Sequence, residues 1–134
     1  MAIKLQKDSI DLGIVAANGP AMVAFYRDVL GFVEEPRTPF PGGGVMNRLR
    51  CGTSLIKIVE PPTTPTERPA AGGIPAATGY RYWTMSVSNL TEVVAECQAA
   101  GRKLVIPVTE VRPGVTIAIV DDPDGNLVEF LQMA

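Results

Sequence analysis

Apolar and polar residues alternate along SIDLGIVA, residues 9–16, with Leu12, Ile14 and Ala16 on one side and Asp11, Gly13 and Val15 on the other. Side chains of a strand point to opposite faces in turn, so this reads as a half-buried strand. After Asn18-Gly19-Pro20 the period changes. Met22, Phe25, Tyr26, Val29 and Leu30 recur at spacings of three and four, the apolar stripe of an amphipathic helix, and Gly31 stops it. Three short strands are predicted next, at about 32–36, 45–51 and 53–60, with Gly and Pro between them.

Residues 61–79, PPTTPTERPAAGGIPAATG, carry no periodicity and read as a linker or mobile loop. The same order then begins again. Residues 80–88 alternate as a strand, with Trp83, Met85 and Val87 opposite Tyr82, Thr84 and Ser86. Asn89 and Glu92 are spaced as a capping box, and Leu90, Val93, Val94, Cys97 and Ala100 form a helical stripe that Gly101 ends. Strands at about 103–108, 115–121 and 126–132 complete the pattern, the last introduced by an Asp-Pro-Asp-Gly turn.

The chain is therefore read as α+β: two βαβββ modules, about 8–60 and 80–132, in one domain spanning 1–134. One helix can cover only one face of its sheet. The helices are expected on the outer faces, and the inner faces of a curved mixed sheet are expected to enclose a cleft for a small molecule.

Composition narrows the function. Apolar residues make up 46% of the chain, enough for a core, and the net charge is −2 with no basic run, so no nucleic-acid partner is expected. No apolar stretch approaches the ~20 residues that span a bilayer, and the first ten residues lack a secretory signal pattern. A cytoplasmic protein without membrane association is expected. Cys51 and Cys97 read as small buried thiols rather than a disulfide framework. PGGGV, residues 41–45, matches no phosphate-loop spacing and reads as a turn.

Two stretches carry a resemblance. FYRDVLGF (25–32) and DPDGNLVEF (122–130), at opposite ends of a paired βαβββ order, resemble signatures of the vicinal-oxygen-chelate superfamily. That superfamily includes glyoxalase I, extradiol dioxygenases and bleomycin-resistance proteins. The resemblance implies a cleft in which the first and last strands of each module supply ligands to a divalent metal, usually His and Glu, and modules paired within a chain or across a homodimer. Carried over, the ligand positions fall on Asp11, Lys57, Tyr82 and Glu129. The chain has no histidine. Of the four, only Asp11 and Glu129 could hold a cation, a protonated lysine has no lone pair to offer, and a phenol is a poor ligand unless ionised. The sequence therefore reads as a divergent member without the histidine ligands, and no metal or other cofactor is expected.

In place of a metal, Lys57 is the expected partner of Glu129. Two carboxylates, an amine and a phenol form an acid–base set: Asp11, Lys57, Tyr82 and Glu129 as the catalytic candidates. The residues expected to line the cleft around them are Val15, Asn47, Arg48, Leu55, Val59, Thr84, Leu127 and Leu131. Arg48 either holds a substrate carboxylate or belongs to a solvated edge. The mix suits a small, largely apolar molecule with one or two oxygens. The expected function is metal-independent isomerisation, epimerisation, elimination, or hydration or epoxide opening. The alternatives are a non-catalytic binding protein of the bleomycin-resistance type and a metal-dependent lyase or dioxygenase with unusual ligands.

Overall fold

A computed structural model describes all 134 residues. They form two compact units, Met1–Thr66 and Glu67–Ala134. Each holds a four-stranded mixed sheet and one main helix, in the order β-α-β-β-β.

In the first unit the strands are β1 (Leu12–Val15), β2 (Val33–Pro39), β3 (Val45–Cys51) and β4 (Ser54–Glu60), arranged β1-β4-β3-β2. β1 runs parallel to β4 and the remaining pairs are antiparallel. Helix α1 (Gly19–Ala24) starts where Asn18 accepts a hydrogen bond from the Ala21 amide at 3.1 Å. It then loosens into a π-helical turn, Phe25–Val29, in which the Leu30 amide reaches back five residues to the Phe25 carbonyl at 3.1 Å. That extra residue lets Phe25 and Tyr26 both be buried, with Tyr26 stacked on Phe32 at 5.5 Å. Arg27 turns outward between Asp28 (2.8 Å) and Glu34 (2.6 Å), which raises its pKa and lowers that of Asp28. FYRDVLGF is thus a packing motif. Ile56, Ile58 and Leu49 form the core on the helix side of this sheet.

The second unit repeats the topology with β5 (Tyr82–Ser86), α2 (Leu90–Ala99), β6 (Leu104–Arg112), β7 (Val115–Asp121) and β8 (Leu127–Met133), ordered β5-β8-β7-β6. β5 is parallel to β8. Leu90, Val94 and Cys97 of α2 are buried, and α2 packs on β6, β7 and β8. Val128, Phe130, Ala118 and Val120 supply the sheet's buried side chains on that face. Trp83 pairs with Val128 and so lies on the same face, as expected of a core residue.

Three expectations change. The Asn89 side chain does not cap α2; the Leu90 amide donates instead to Gln132 Oε1 on β8, at 2.9 Å. The 61–79 segment does contain an element, a single 3-10 turn at Ile74–Ala76. β2 and β6 run further than predicted, to Pro39 and Arg112, with bulges that hide the alternation.

Candidate functional site

Each sheet has one face under its helix and one helix-free face, and strand parity decides which residues share the latter. In the first sheet Lys57 faces Arg48 across the β3–β4 ladder and Gly13 across the parallel β1–β4 pair. By the same register Val59 stands opposite Val15 and Met46, and Leu55 opposite Arg50. Val15 is exposed, Val59 is buried, and Leu55, Lys57 and Arg48 are half-buried. Arg48 touches Glu35 at 3.5 Å, and Arg50 shares that carboxylate at 3.2 Å.

Asp11 precedes β1 on this helix-free side. Its Oδ1 accepts from Lys7 Nζ at 2.7 Å and from the Leu55 amide at 2.8 Å. The Lys7 hydrogen bond, then that of the Leu55 amide, holds its carboxyl below the ordinary value, and the charge of Lys57 adds to the effect. An acid stabilised as its anion is a weaker base. Lys7 carries no signal in the sequence that would single it out. It is itself anchored, donating also to the Thr53 carbonyl at 3.1 Å.

Asn47 is a correction. The sequence reading puts it with Arg48 in the cleft lining, but neighbours in a strand point to opposite faces. Asn47 is 4% exposed on the helix side, where Nδ2 donates to the Ile58 carbonyl at 3.1 Å and to Glu60 Oε2 at 2.8 Å. The Glu60 carboxylate in turn occupies the space a side chain at position 19 would need, so α1 begins on glycine.

In the second sheet the helix-free face carries Tyr82, Thr84 and Ser86 on β5, and Leu127, Glu129 and Leu131 on β8, in direct register. On the other side of β8, Ile119 stands opposite Glu129 and Ile117 opposite Leu131. Val115, Ile117 and Ile119 form a buried apolar cluster against which Leu127, Leu131, Ile106 and Ile74 pack. Glu129 is thus a half-buried carboxylate in an apolar surround. Thr84 Oγ1 donates to Glu129 Oε1 at 2.6 Å, a short charge-assisted bond that fixes the carboxylate and leaves its second oxygen outside that bond. Within its own sheet, then, the partner of Glu129 is a neutral hydroxyl, where an ammonium was expected. Tyr82 is 48% exposed two positions along the same face of β5.

Ile74 reaches this face because Arg81 holds its turn. The guanidinium donates to the carbonyls of Ala70 (3.0 Å), Gly73 (2.5 Å) and Ile74 (3.0 Å). Neither Arg81 nor Ile74 stands out in the sequence, because a 3-10 turn leaves no periodic signal. Ile117 and Ile119 escape notice there because VTIAIVD is apolar on both faces.

The turn before β8 is organised by Asp122, 1% exposed. Its Oδ1 accepts from the Asp124 amide (3.0 Å), the Asn126 amide (2.9 Å) and Asn126 Nδ2 (3.1 Å), and its Oδ2 from the same Nδ2 (2.9 Å). This turn sets where β8 begins, and hence where Glu129 falls.

A family model described as the Glyoxalase/Bleomycin resistance protein/Dioxygenase superfamily matches residues 10–130. The chain belongs to this superfamily. The structure titled SMU.1112c is similar over 95% of this chain and 99% of its own, with a TM-score of 0.78 and 21% identity. A glyoxalase family protein from Enterococcus faecalis matches with a TM-score of 0.69 and 22% identity, over 96% of both chains. A lactoylglutathione lyase from Agrobacterium tumefaciens matches with a TM-score of 0.68 and 22% identity, again over 96% of both. At such identities the likeness shows the fold. No curated protein matches the sequence.

The superfamily's metal does not fit these residues. No three His, Cys, Asp or Glu side chains come together to hold an ion. Of the four positions that the resemblance implies as ligands, one is a lysine, whose ammonium repels a cation, and Asp11 is already bound by Lys7 and the Leu55 amide. The cysteines offer no substitute. Both are free thiols, and burial pushes Cys51 up and Cys97 to about 11. No helix is long and apolar enough to cross a membrane.

Proposed function

We propose that this glyoxalase-superfamily protein performs metal-independent acid–base chemistry on a small, largely apolar, oxygenated molecule held against a helix-free sheet face. Isomerisation, epimerisation, elimination and hydration or epoxide opening all fit. The observation that carries the reading is Glu129, fixed by Thr84 among Ile117, Ile119, Leu127 and Leu131. Thr84 holds one oxygen of this carboxylate, which aims the other at a proton of a bound molecule. Tyr82 is the donor to an oxygen that gains charge, and Lys57 supplies positive potential. Asp11, restrained by Lys7 and the Leu55 amide, is the weaker base of the two carboxylates.

That restraint on Asp11 favours a second reading, a binding protein without turnover, because it weakens one of the two candidate bases. Glu129→Gln separates the two. A panel of ketones, lactones and epoxides is screened for binding by calorimetry and for turnover by NMR. An enzyme loses turnover in the variant and keeps affinity. A binder shows no turnover in either form, and that result refutes the catalytic reading.

The proposal includes one domain of two modules, a curved mixed sheet, cytoplasmic residence and a homodimer. Sedimentation at a single-chain mass would refute the last.

A further inference from the structure

The helix-free face of the first sheet carries an arrangement that the acid–base reading leaves unused. Lys57 and Arg48 are direct partners across an antiparallel ladder, so two cations stand face to face on one surface. Like charges so opposed weaken a sheet. The carboxylates nearby are committed elsewhere. Glu35 is shared between Arg48 at 3.5 Å and Arg50 at 3.2 Å, so it leaves Arg48 donors free. Asp11 binds Lys7 and the Leu55 amide through one oxygen and feels the charge of Lys57 without forming an ion pair with it. Lys57 itself makes no ion pair. Four cations (Lys7, Arg48, Arg50 and Lys57) thus outnumber two carboxylates on this face.

Space is present beside the unpaired cation. On the side of Lys57 away from Arg48 lies Gly13, and a Cβ built there meets no atom within 4 Å. Gly13 does not adopt the left-handed backbone that favours glycine, so the turn of the chain does not explain it. What its lack of a side chain leaves is open, exposed room next to an ammonium, with Val15 and Val59 two positions along the same face.

We infer that Lys57 and Arg48, with the gap over Gly13, form an anion subsite that takes the carboxylate of the ligand. The inference rests on the proposed small-molecule site and narrows its ligand to a carboxylic acid with an apolar remainder. An ammonium and a guanidinium with no converging backbone amides suit a singly charged planar group better than a phosphate dianion.

The test is an NMR titration of the 15N-labelled full chain with octanoate, with 2-octanone as its neutral counterpart and with inorganic phosphate. Octanoate is expected to bind about 10-fold tighter than 2-octanone, the effect of one charge-assisted contact, and to shift the amides of Gly13, Arg48 and Lys57. Lys57→Gln is expected to remove that preference. Gly13→Val, which keeps every charge and suits a strand, is expected to remove it by filling the space. Equal binding of octanoate and 2-octanone by the native chain overturns the subsite but not the acid–base reading, provided 2-octanone shifts Thr84 and Glu129. Tighter binding of phosphate than octanoate, or a preference that survives both substitutions, also overturns it. If neither organic probe binds, both proposals fall.

Discussion

The turn that Asp122 organises is the most exacting test of how the last strand is positioned. Its two side-chain oxygens receive four hydrogen bonds, three of them on Oδ1. Asp122→Ala removes all four and strips two backbone donors, at Asp124 and Asn126, of their acceptor. The Asn126 side chain is only half-buried and can turn to water, so its loss counts for little. Each backbone donor left without a partner costs about 1–2 kcal/mol, giving ~3 kcal/mol in all. For a chain of this size that corresponds to a melting temperature lower by roughly 10 °C. Asp122→Asn keeps an oxygen in the Oδ1 place, and with it both backbone bonds. It turns an amide toward Asn126 Nδ2, so about 1 kcal/mol is expected. The assay is urea unfolding of the three proteins followed by tryptophan fluorescence, Trp83 being the chain's one tryptophan. If alanine costs less than about 1 kcal/mol, or alanine and asparagine cost the same, the backbone bonds to Oδ1 do not hold this turn, and the start of β8 is set by something other than Asp122.

Gly44 sits at φ 91°, and a Cβ there would fall on the Glu60 backbone, so Gly44→Ala should cost at least about 2 kcal/mol in urea unfolding; a neutral result would mean the hairpin turn can rearrange freely. Asp11 has its folded pKa lowered from an ordinary 3.8, so its contribution to stability is present above that value and is lost as pH falls through the folded value; Asp11→Asn should flatten the acid limb of the stability–pH curve, and an unchanged limb would refute the role of Lys7. Arg81→Met should free the 70–76 turn from the second sheet and speed proteolysis there roughly 30-fold, from ~2 kcal/mol of lost hydrogen bonding, while the melting temperature moves little; unchanged cleavage sites and rates would show that Arg81 does not hold Ile74 in place.

Eight strands and two main helices are readable in the sequence because β1 and β5 alternate, the two helical stripes recur at three and four, Gly31 and Gly101 stop the helices, and Gly and Pro separate the short strands. What is not readable depends on partners far away in the chain. Thr84 and Glu129 are 45 residues apart, and only the parallel pairing of β5 with β8 puts them opposite one another. Gln132, serving the Leu90 amide, is of the same kind. Asn47 is different. Placing it on the same face as Arg48 breaks the two-residue alternation of a strand, an inconsistency that the pattern of the strand is enough to expose. Polar composition draws attention to Asn47, while its burial follows from the Glu60 carboxylate under α1, which has no local signature.

The two modules share a topology, and the point at which they part is informative. Position 57 of β4 corresponds to position 129 of β8, and each is in register with one residue of its parallel neighbour: Gly13 for Lys57, Thr84 for Glu129. In the second module that neighbour carries a hydroxyl and ties the charged side chain down at 2.6 Å. In the first it carries nothing, and the charged side chain is left unpaired with space beside it. A fixed carboxylate serves a proton transfer, where the acceptor must be aimed. An unpaired ammonium with room around it serves the capture of an anion, where the ligand supplies the missing partner. Exchanging the two neighbours, by Gly13→Thr and Thr84→Gly, should therefore do two separable things. The first loses the preference for octanoate over 2-octanone without touching the second sheet. The second releases Glu129 without touching that preference. If either substitution alone abolished both behaviours, the division of labour between the faces would be refuted, and with it the reading of the repeat as one scaffold whose equivalent positions carry different chemistry.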